Sequence, residues 1–337
     1  MTGHGVTRIL VTGGSGFIGS RLALLASQQG HALTVVTAVN NATERARCDE
    51  LLAAGVTVIE AALEDDNALS RALAGHDTVV HLAAAQHEAE RPESYFHRVN
   101  VEGTRRLLEL ARGAGVRRFV HGSTIGVYGS SASGSVLDER SPLSPDNAYG
   151  RTKAAAESVV RDQHADMEYC IVRISETYGP GDMRLLKLFR GVLSGRYLTV
   201  GDGNNEHQLI YVDDLVQGLL AACVAPAANG ATIVLAGTER LTTNAIVAAI
   251  GTAVGSRRRV RHAPLWPFLM LAYAMERTFA PLGLKPPLHR RRLDFFRKSF
   301  RFSPAAAEQL LGFRAPTGFA EGATRTAQWY RSRGLLS

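Results

Sequence analysis

Cysteine is nearly absent from this chain: Cys48, Cys170 and Cys223 are the only three in 337 residues. They are far apart and odd in number, which excludes a disulfide framework. No CxxC pair or Cys/His ligand spacing points to a zinc site. Small buried apolar side chains are the reading left for them. Long hydrophobic runs are missing too. The longest, Leu265–Met275, contains Pro267 and is too short to span a bilayer. The N-terminus lacks the charged-then-apolar pattern of an export signal, so a cytoplasmic location is expected. His76, His81, His87 and His121 lack ligand spacing and are read as structural or surface residues, with no metal expected.

What is present is an ordinary globular composition, 45% apolar and 20% charged, long enough for one large domain or two modest ones. The net charge of +7 is unevenly placed. Between Arg257 and Arg301 stand twelve Lys or Arg and only two acids, Glu276 and Asp294. This segment reads as a solvated basic face, or as a surface for an anionic substrate, an anionic membrane or nucleic acid. Nucleic acid is the weakest of these, because no helix-turn-helix, zinc-finger or aromatic-interleaved pattern accompanies the charge. Pro264–Leu284 is apolar, with Trp266, Phe268, Tyr273 and Phe279. It reads as a core-packing helix, or as a patch that admits a greasy substrate or rests on a membrane. Peripheral membrane contact is therefore carried for 264–301.

The first half alternates short β-branched runs with helical segments. Arg8–Thr12, Leu33–Val36, Thr57–Glu60, Asp77–Leu82, Phe119–Ser123 and Glu168–Arg173 read as strands. Helices are expected at Phe17–Gln29, Ala46–Ala53, within Tyr95–Ala114 and at Tyr149–Gln163. Strand–helix units of this length predict an α/β fold, a doubly wound parallel sheet covered on both faces. After Arg173 the pattern loosens into short strands near Tyr197–Val200, Gln208–Val212 and Thr232–Leu235, which reads as a smaller mixed α/β lobe. The expected division is a Rossmann domain over 1–173, with 204–225 returning to it, and a substrate lobe from 174–203 and 226–337. Gly129–Ser135 reads as a Gly/Ser-rich loop.

Thr12-Gly13-Gly14-Ser15-Gly16-Phe17-Ile18-Gly19 joins the first strand to the first helix. Such glycines permit a tight turn, a close backbone approach to a pyrophosphate and helix–strand packing. The helix N-terminus adds free N–H groups and a positive dipole end. An NAD site often has an acid at the end of the second strand, where this chain has Thr37. Its absence removes a repulsion against a 2′-phosphate, and Arg45 and Arg47 lie a little downstream. The cofactor is NAD or NADP, with a lean to NADP.

Tyr149-Gly150-Arg151-Thr152-Lys153 opens a helix, and the i, i+4 spacing puts phenol and ammonium on one face. A cation nearby favours the phenolate, which would let Tyr149 act as acid or base toward a substrate hydroxyl. Ser123 and Thr124 end the fifth strand and offer hydroxyls to orient the substrate oxygen.

At these residues the chain resembles the extended short-chain dehydrogenase/reductase family, in its epimerase/dehydratase-like branch. The matching stretches are Thr12–Gly19, Asp77–Ala84, Asn100–Thr104, His121–Gly129, Tyr149–Lys153, Arg173–Gly181 and Tyr211–Asp214. The resemblance implies a catalytic set of Thr124, Tyr149 and Lys153. It implies cofactor contacts at Gly13, Gly16, Phe17, Ile18, Gly19, Thr37, Leu63, Leu82, Ala83, Ala84, Asn100, Tyr149, Lys153 and Tyr178. Asn100 is further expected to brace the active-site helix. Substrate contacts are expected at Ser123, Thr124, Glu176 and His207. Glu176 and His207 depart from the nucleotide-sugar pattern, which there has Asn and a phosphate-binding Arg. Thr124 is followed by Ile125 and Gly126 rather than the Asp-Glu pair usual for 4,6-dehydration.

The leading expectation is hydride transfer at a secondary alcohol or ketone. A nucleotide-sugar epimerase, oxidising C4 transiently with bound NAD, is the second. A dinucleotide-binding regulator without turnover is the third. A small-molecule substrate, either a nucleotide sugar or a hydrophobic alcohol or ketone, and a homodimer complete the expectation.

Overall fold

The computed structural model describes residues 7–86, 91–129, 135–256, 258, 260–279, 287, 288, 293, 296 and 298–336. Its centre is a seven-stranded sheet of β1 (Arg8–Thr12), β2 (Ala32–Thr37), β3 (Thr57–Glu60), β4 (Thr78–His81), β5 (Arg118–Thr124), β6 (Glu168–Ile174) and β7 (Ala231–Leu235). The order is β7-β6-β5-β4-β1-β2-β3 and every neighbouring pair is parallel. Period-two alternation divides each strand between two cores. Ile9, Val11, Val35, Val80, Val120 and Val172 join one cluster. Leu10, Val36, Val79, Phe119 and Ile171 join the other. Apolar side chains on both faces demand cover on both, which makes this sheet doubly wound.

The cover comes from helices in chain order: α1 (Phe17–Gln28), α2 (Ala42–Ala53), α3 (Asp66–Leu73), α4 (Glu93–His97), α5 (Gly103–Gly113) and α6 (Ala148–Gln163). After them come α7 (Leu186–Ser194), α8 (Val212–Val224), α9 (Thr243–Val254), α10 (Leu265–Phe279), α11 (Ala305–Leu311) and α12 (Phe319–Ser332). Helices α1, α8 and α11 bury Leu22, Ala26, Leu215, Leu219 and Ala307 on one face. Helices α3, α5 and α6 bury Leu69, Leu107, Leu108 and Val160 on the other. The lobe has its own core, made by α7, α9 and α12 through Phe189, Val192, Ile246, Ile250, Ala323 and Tyr330. Among the described residues no helix is long and apolar enough to cross a membrane.

Three elements differ from the sequence reading. Thr232–Leu235, expected in the lobe, is part of β7 and lies in register with Ile171–Ile174 at the sheet's edge. A short apolar run carries no mark of which sheet it joins, and only its pairing decides. Gln208–Val212 is expected as a strand, but only Ile210–Tyr211 pairs, with Thr177–Tyr178, and Val212 already opens α8. The long helix within Tyr95–Ala114 is interrupted by a π turn, Arg98–Glu102, between α4 and α5. Most of the Gly129–Ser135 loop lies outside the described residues.

One buried ion pair ties α6 to the sheet. The Glu157 side chain has 0% exposure and Arg173 on β6 has 3%, with Arg173 Nη2 2.8 Å from Glu157 Oε2. Ser123 on β5 donates to Glu157 Oε1 at 2.6 Å. Burial pushes the Glu157 carboxyl up, but the hydrogen bonds and charge of Arg173, with Ser123 and Arg161, hold it below the ordinary carboxylate range. A carboxyl held low stabilises the fold above its unfolded value of about 4.5, and the gain is lost as pH falls through the folded value. Glu157→Ala leaves the Arg173 guanidinium sealed and unpaired. We expect a loss of about 3–5 kcal/mol, read as a lower urea midpoint at unchanged slope.

Candidate active site

The glycine turn sits at the carboxyl end of β1, between β2 and β4, where the chain's direction along the sheet reverses. Ligands bind at such switch points in open α/β sheets. Gly13 has φ +73°, and a Cβ there would lie 2.7 Å from Ala83 N on the neighbouring strand's loop. Only glycine allows both the backbone conformation and that approach. Gly16 N donates to Gly13 O at 3.0 Å, closing the turn from which α1 starts. A cleft of about 1220 Å³ opens here, lined by Gly13, Phe17, Ile18, Thr37, Leu63, Leu82, Ala83 and Ala84, and runs to Thr124, Tyr149 and Glu176.

At the ribose position the Thr37 hydroxyl lies 2.6 Å from the Ser15 hydroxyl, so β2 ends on a neutral pair. The two candidate cations separate. Arg45 pairs with Glu60 at the end of β3, with Nη2 at 2.8 Å, and is not directed to the cleft. Arg47 lines the cleft, donating to Ser15 O at 3.1 Å and Gly181 O at 2.8 Å.

At the far end, local capping brings two hydroxyls together. Thr124 Oγ1 accepts from Gly126 N at 3.1 Å and starts the turn Ile125–Tyr128. Asn147 Oδ1 accepts from Gly150 N at 3.0 Å and starts α6. The two starts touch: a Cβ on Gly150 would lie 2.6 Å from Gly126 O. This approach sets the Tyr149 phenol beside the Thr124 hydroxyl, which favours its ionised form. Asn100, on the π turn, accepts from Ala85 N at 2.7 Å and donates to Ala85 O and to Thr152 Oγ1, both at 3.0 Å. It binds the loop after β4 to α6, and it does not line the cleft.

Lys153 is also buried, and its Nζ lies 3.1 Å from His121 Nε2. The expectation that Lys153 lowers the Tyr149 pKa does not hold in this structure. Burial pushes the phenol up to about 12, and only the Thr124 hydroxyl and the charge of Arg184 pull it back. Burial also brings Lys153 down to about 8, opposed by Glu157. His121 is held well below its ordinary value by burial and then by the Lys153 charge, so it is neutral and accepts a hydrogen bond from the ammonium at Nε2. Behind it, His81 is pushed down to about 3 by burial, and its ring nitrogens lie 2.7 Å from Thr12 Oγ1 and 3.0 Å from Thr104 Oγ1. Sequence spacing gave no sign that His121 meets Lys153. The adjacency comes from β5 passing under α6.

Three predicted contacts have partners that spacing does not reveal. Ser123 lines the cleft beside Thr124, but its hydroxyl donates to Glu157. Tyr178 is 1% exposed and packs on Tyr211 and Phe319 in the lobe core, so it is not at the cofactor path. His207 is buried and outside the cleft lining. Its Nδ1 lies 3.2 Å from Glu176 Oε2, so it acts through Glu176, which does line the cleft. Arg184, missed in the sequence, also lines the cleft. It donates to Thr177 O at 2.6 Å and to Asp182 Oδ1 at 3.0 Å, and its cation sits over the Phe17 ring.

The donor set fits a nicotinamide dinucleotide: a glycine cradle that a Cβ would fill, a helix N-terminus for the pyrophosphate, and hydroxyls at the reacting end. His121→Phe removes the acceptor of a buried ammonium. A hydrogen bond to a charged group contributes about 1.5 kcal/mol or more, roughly one pH unit. We therefore expect the alkaline limb of the kcat/KM profile to move to lower pH by about that much. An unmoved limb would show that His121 does not support the ammonium.

Known proteins share this arrangement of turn, sheet and helix. The family model for the NAD dependent epimerase/dehydratase family matches residues 9–237. A dTDP-glucose 4,6-dehydratase of Streptomyces niveus is 30% identical, across 96% of this chain and 93% of that one. An N-acetyl-alpha-D-glucosaminyl-diphospho-ditrans,octacis-undecaprenol 4-epimerase of Escherichia coli O157:H7 is 27% identical, across 95% and 94%. The dTDP-glucose 4,6-dehydratase of Streptomyces venezuelae, solved with NAD bound, superposes with a TM-score of 0.78 at 29% identity, covering 98% of this chain and 99% of that one. This chain belongs to the NAD-dependent epimerase/dehydratase family and is an enzyme of it.

Proposed function

We propose that the chain transfers hydride at a secondary alcohol carbon of a sugar carried on a diphosphate, with Tyr149 as acid and base. The observation that carries this is the Tyr149–Thr124 hydroxyl pair at the end of the cleft that begins at the glycine turn. Thr124 orients the substrate hydroxyl and Tyr149 exchanges its proton. With its pKa near 12, Tyr149 holds a proton at neutral pH and is ready to give one. A bound nicotinamide would supply hydride chemistry and, when oxidised, a positive charge that favours the phenolate. Lys153, braced by His121, positions its ammonium beneath the site. Glu176 would repel a diphosphate, but His207 and the charge of Arg184 act on that carboxylate. Ile125 and Gly126, rather than an acid pair, come after Thr124, which favours oxidoreduction or 4-epimerisation over dehydration. The family resemblance supports a homodimer through α5 and α6.

Tyr149→Phe should lower turnover about a hundredfold or more on a panel of sugar nucleotides while cofactor binding is kept. Full activity in that variant sinks the assignment. NAD released on denaturing the purified protein would mark an epimerase; an empty site marks net oxidoreduction.

The chain's own residues favour NADP, although a neighbouring structure holds NAD. Thr37 offers no repelling acid and Arg47 lines the cleft beside it. NADPH should bind more tightly than NADH in a fluorescence titration, and Arg47→Ala should cost NADPH about tenfold and NADH little. Equal losses for both would remove the preference.

A further inference from the structure

Helix α10 turns apolar side chains to solvent. Trp266 and Met270 are each 65% exposed, Tyr273 51% and Leu271 48%. Four of the nine large exposed apolar side chains among the described residues therefore belong to one helix. Trp266, Met270 and Tyr273 recur at i, i+4 and i+7, which sets them in one line along the helix. Arg277 continues the line and donates to the Tyr273 hydroxyl at 3.0 Å. The opposite side carries Leu265, Phe268, Leu269 and Ala272, which pack on Val200, Leu293 and Phe296. The helix is thus held to the lobe by one apolar face and shows a second one outward. Burial in the chain's own core does not account for the second face.

The charge of this segment is mostly of one sign. The sequence from Arg257 to Arg301 has twelve Lys or Arg against two acids. Of the cations the structure describes, Arg258, Arg261 and Arg277 are exposed. A line of Trp, Met and Tyr continued by the Arg277 guanidinium, in a segment this basic, matches a surface that is apolar below and anionic at its boundary. A neutral apolar protein surface would match the line but leave the cations without a counterpart.

This face is also tied to the substrate end of the cleft. Arg261–Ala263, just before α10, pairs with Leu198–Val200, and Gly201 N donates to Ala263 O at 2.8 Å. The chain then runs to His207, which contacts Glu176 in the cleft wall. Phe300 N returns to the same loop, donating to Glu206 O at 2.9 Å.

We infer that α10 is a docking helix for an anionic lipid bilayer, inserting the Trp266–Met270–Tyr273 line between headgroups while Arg277 at its end meets lipid phosphates. The inference does not depend on the sugar reading of the active site. The full chain should be sedimented with vesicles of neutral phosphatidylcholine and with vesicles containing about one third phosphatidylglycerol. Anionic vesicles should bind on the order of tenfold more protein, and added salt should weaken the binding. Trp266→Glu with Met270→Glu should abolish it while melting temperature and NADPH binding stay unchanged, since both side chains are exposed. Arg277→Glu should weaken it. Absence of binding, or equal binding to both lipids, overturns the inference. So does a dimer in solution that the Trp266→Glu, Met270→Glu change dissociates, because the line would then be the seat of a second copy.

Discussion

The carboxylate of Glu157 has no access to solvent, and Arg173, Arg161 and the Ser123 hydroxyl satisfy it between them. A buried charge tolerates little freedom in its partners, because each lost hydrogen bond leaves part of the charge uncompensated. Ser123 is on β5, Arg173 on β6 and Glu157 on α6, so this one group fixes three elements against each other. The same three elements carry or support Thr124, Tyr149 and Lys153. Arg173 extends the brace outward, donating to the Tyr128 hydroxyl at 2.9 Å, and Tyr128 donates on to Asp138 O. The register of the Thr124 and Tyr149 hydroxyls is therefore set about two helical turns along α6 from Tyr149, by a residue outside the cleft lining.

Above that brace, the electrostatics of the site come from burial more than from neighbouring charge. Lys153 is ionised at the bottom of the site although burial brings it down to about 8; the Glu157 carboxylate opposes that fall, and the group within hydrogen-bond reach of its ammonium is the neutral His121 imidazole. His121 and His81 have ring centroids 5.4 Å apart, and both are held neutral by burial. A neutral acceptor steadies an ammonium without cancelling its charge, which leaves that charge available to the cleft. The phenol above is neutral as well, and burial raises its pKa further from the ordinary value. Both groups are set to respond to charge arriving with a ligand.

Much of this was readable in the sequence. The strand pattern and the glycine turn are legible because their physics is local: alternation, a turn and a helix start in one stretch of chain. Tyr149 and Lys153 are legible because they share one helix face. What was not legible depends on which strand passes beneath which helix. Ser123 reads as a substrate hydroxyl, with no sign that α6 brings Glu157 against it. Tyr178 reads as a cofactor contact until α12 closes over it and places Gly322 beside its hydroxyl. His207 reads as a substrate contact until the loop turns it behind Glu176. Thr232–Leu235 lacks any signal that distinguishes an edge strand of the main sheet from a strand of the lobe.

The π turn at Arg98–Glu102 bears on how related chains are to be aligned. A π turn spends one residue more than an α turn, so it rotates the helix on its N-terminal side by about 100° relative to the helix on its C-terminal side. Here that offset lets Tyr95 face the cleft while Leu107, Leu108 and Ala111 stay on the sheet. It also aims Asn100 at Ala85 and Thr152 together. A one-residue gap against 98–102 in a relative therefore marks more than a shortened segment. It marks an unbroken α-helix in which the residue aligned with Asn100 is turned away from its two partners, and a residue-by-residue transfer of roles across that gap would assign the brace to the wrong side chain.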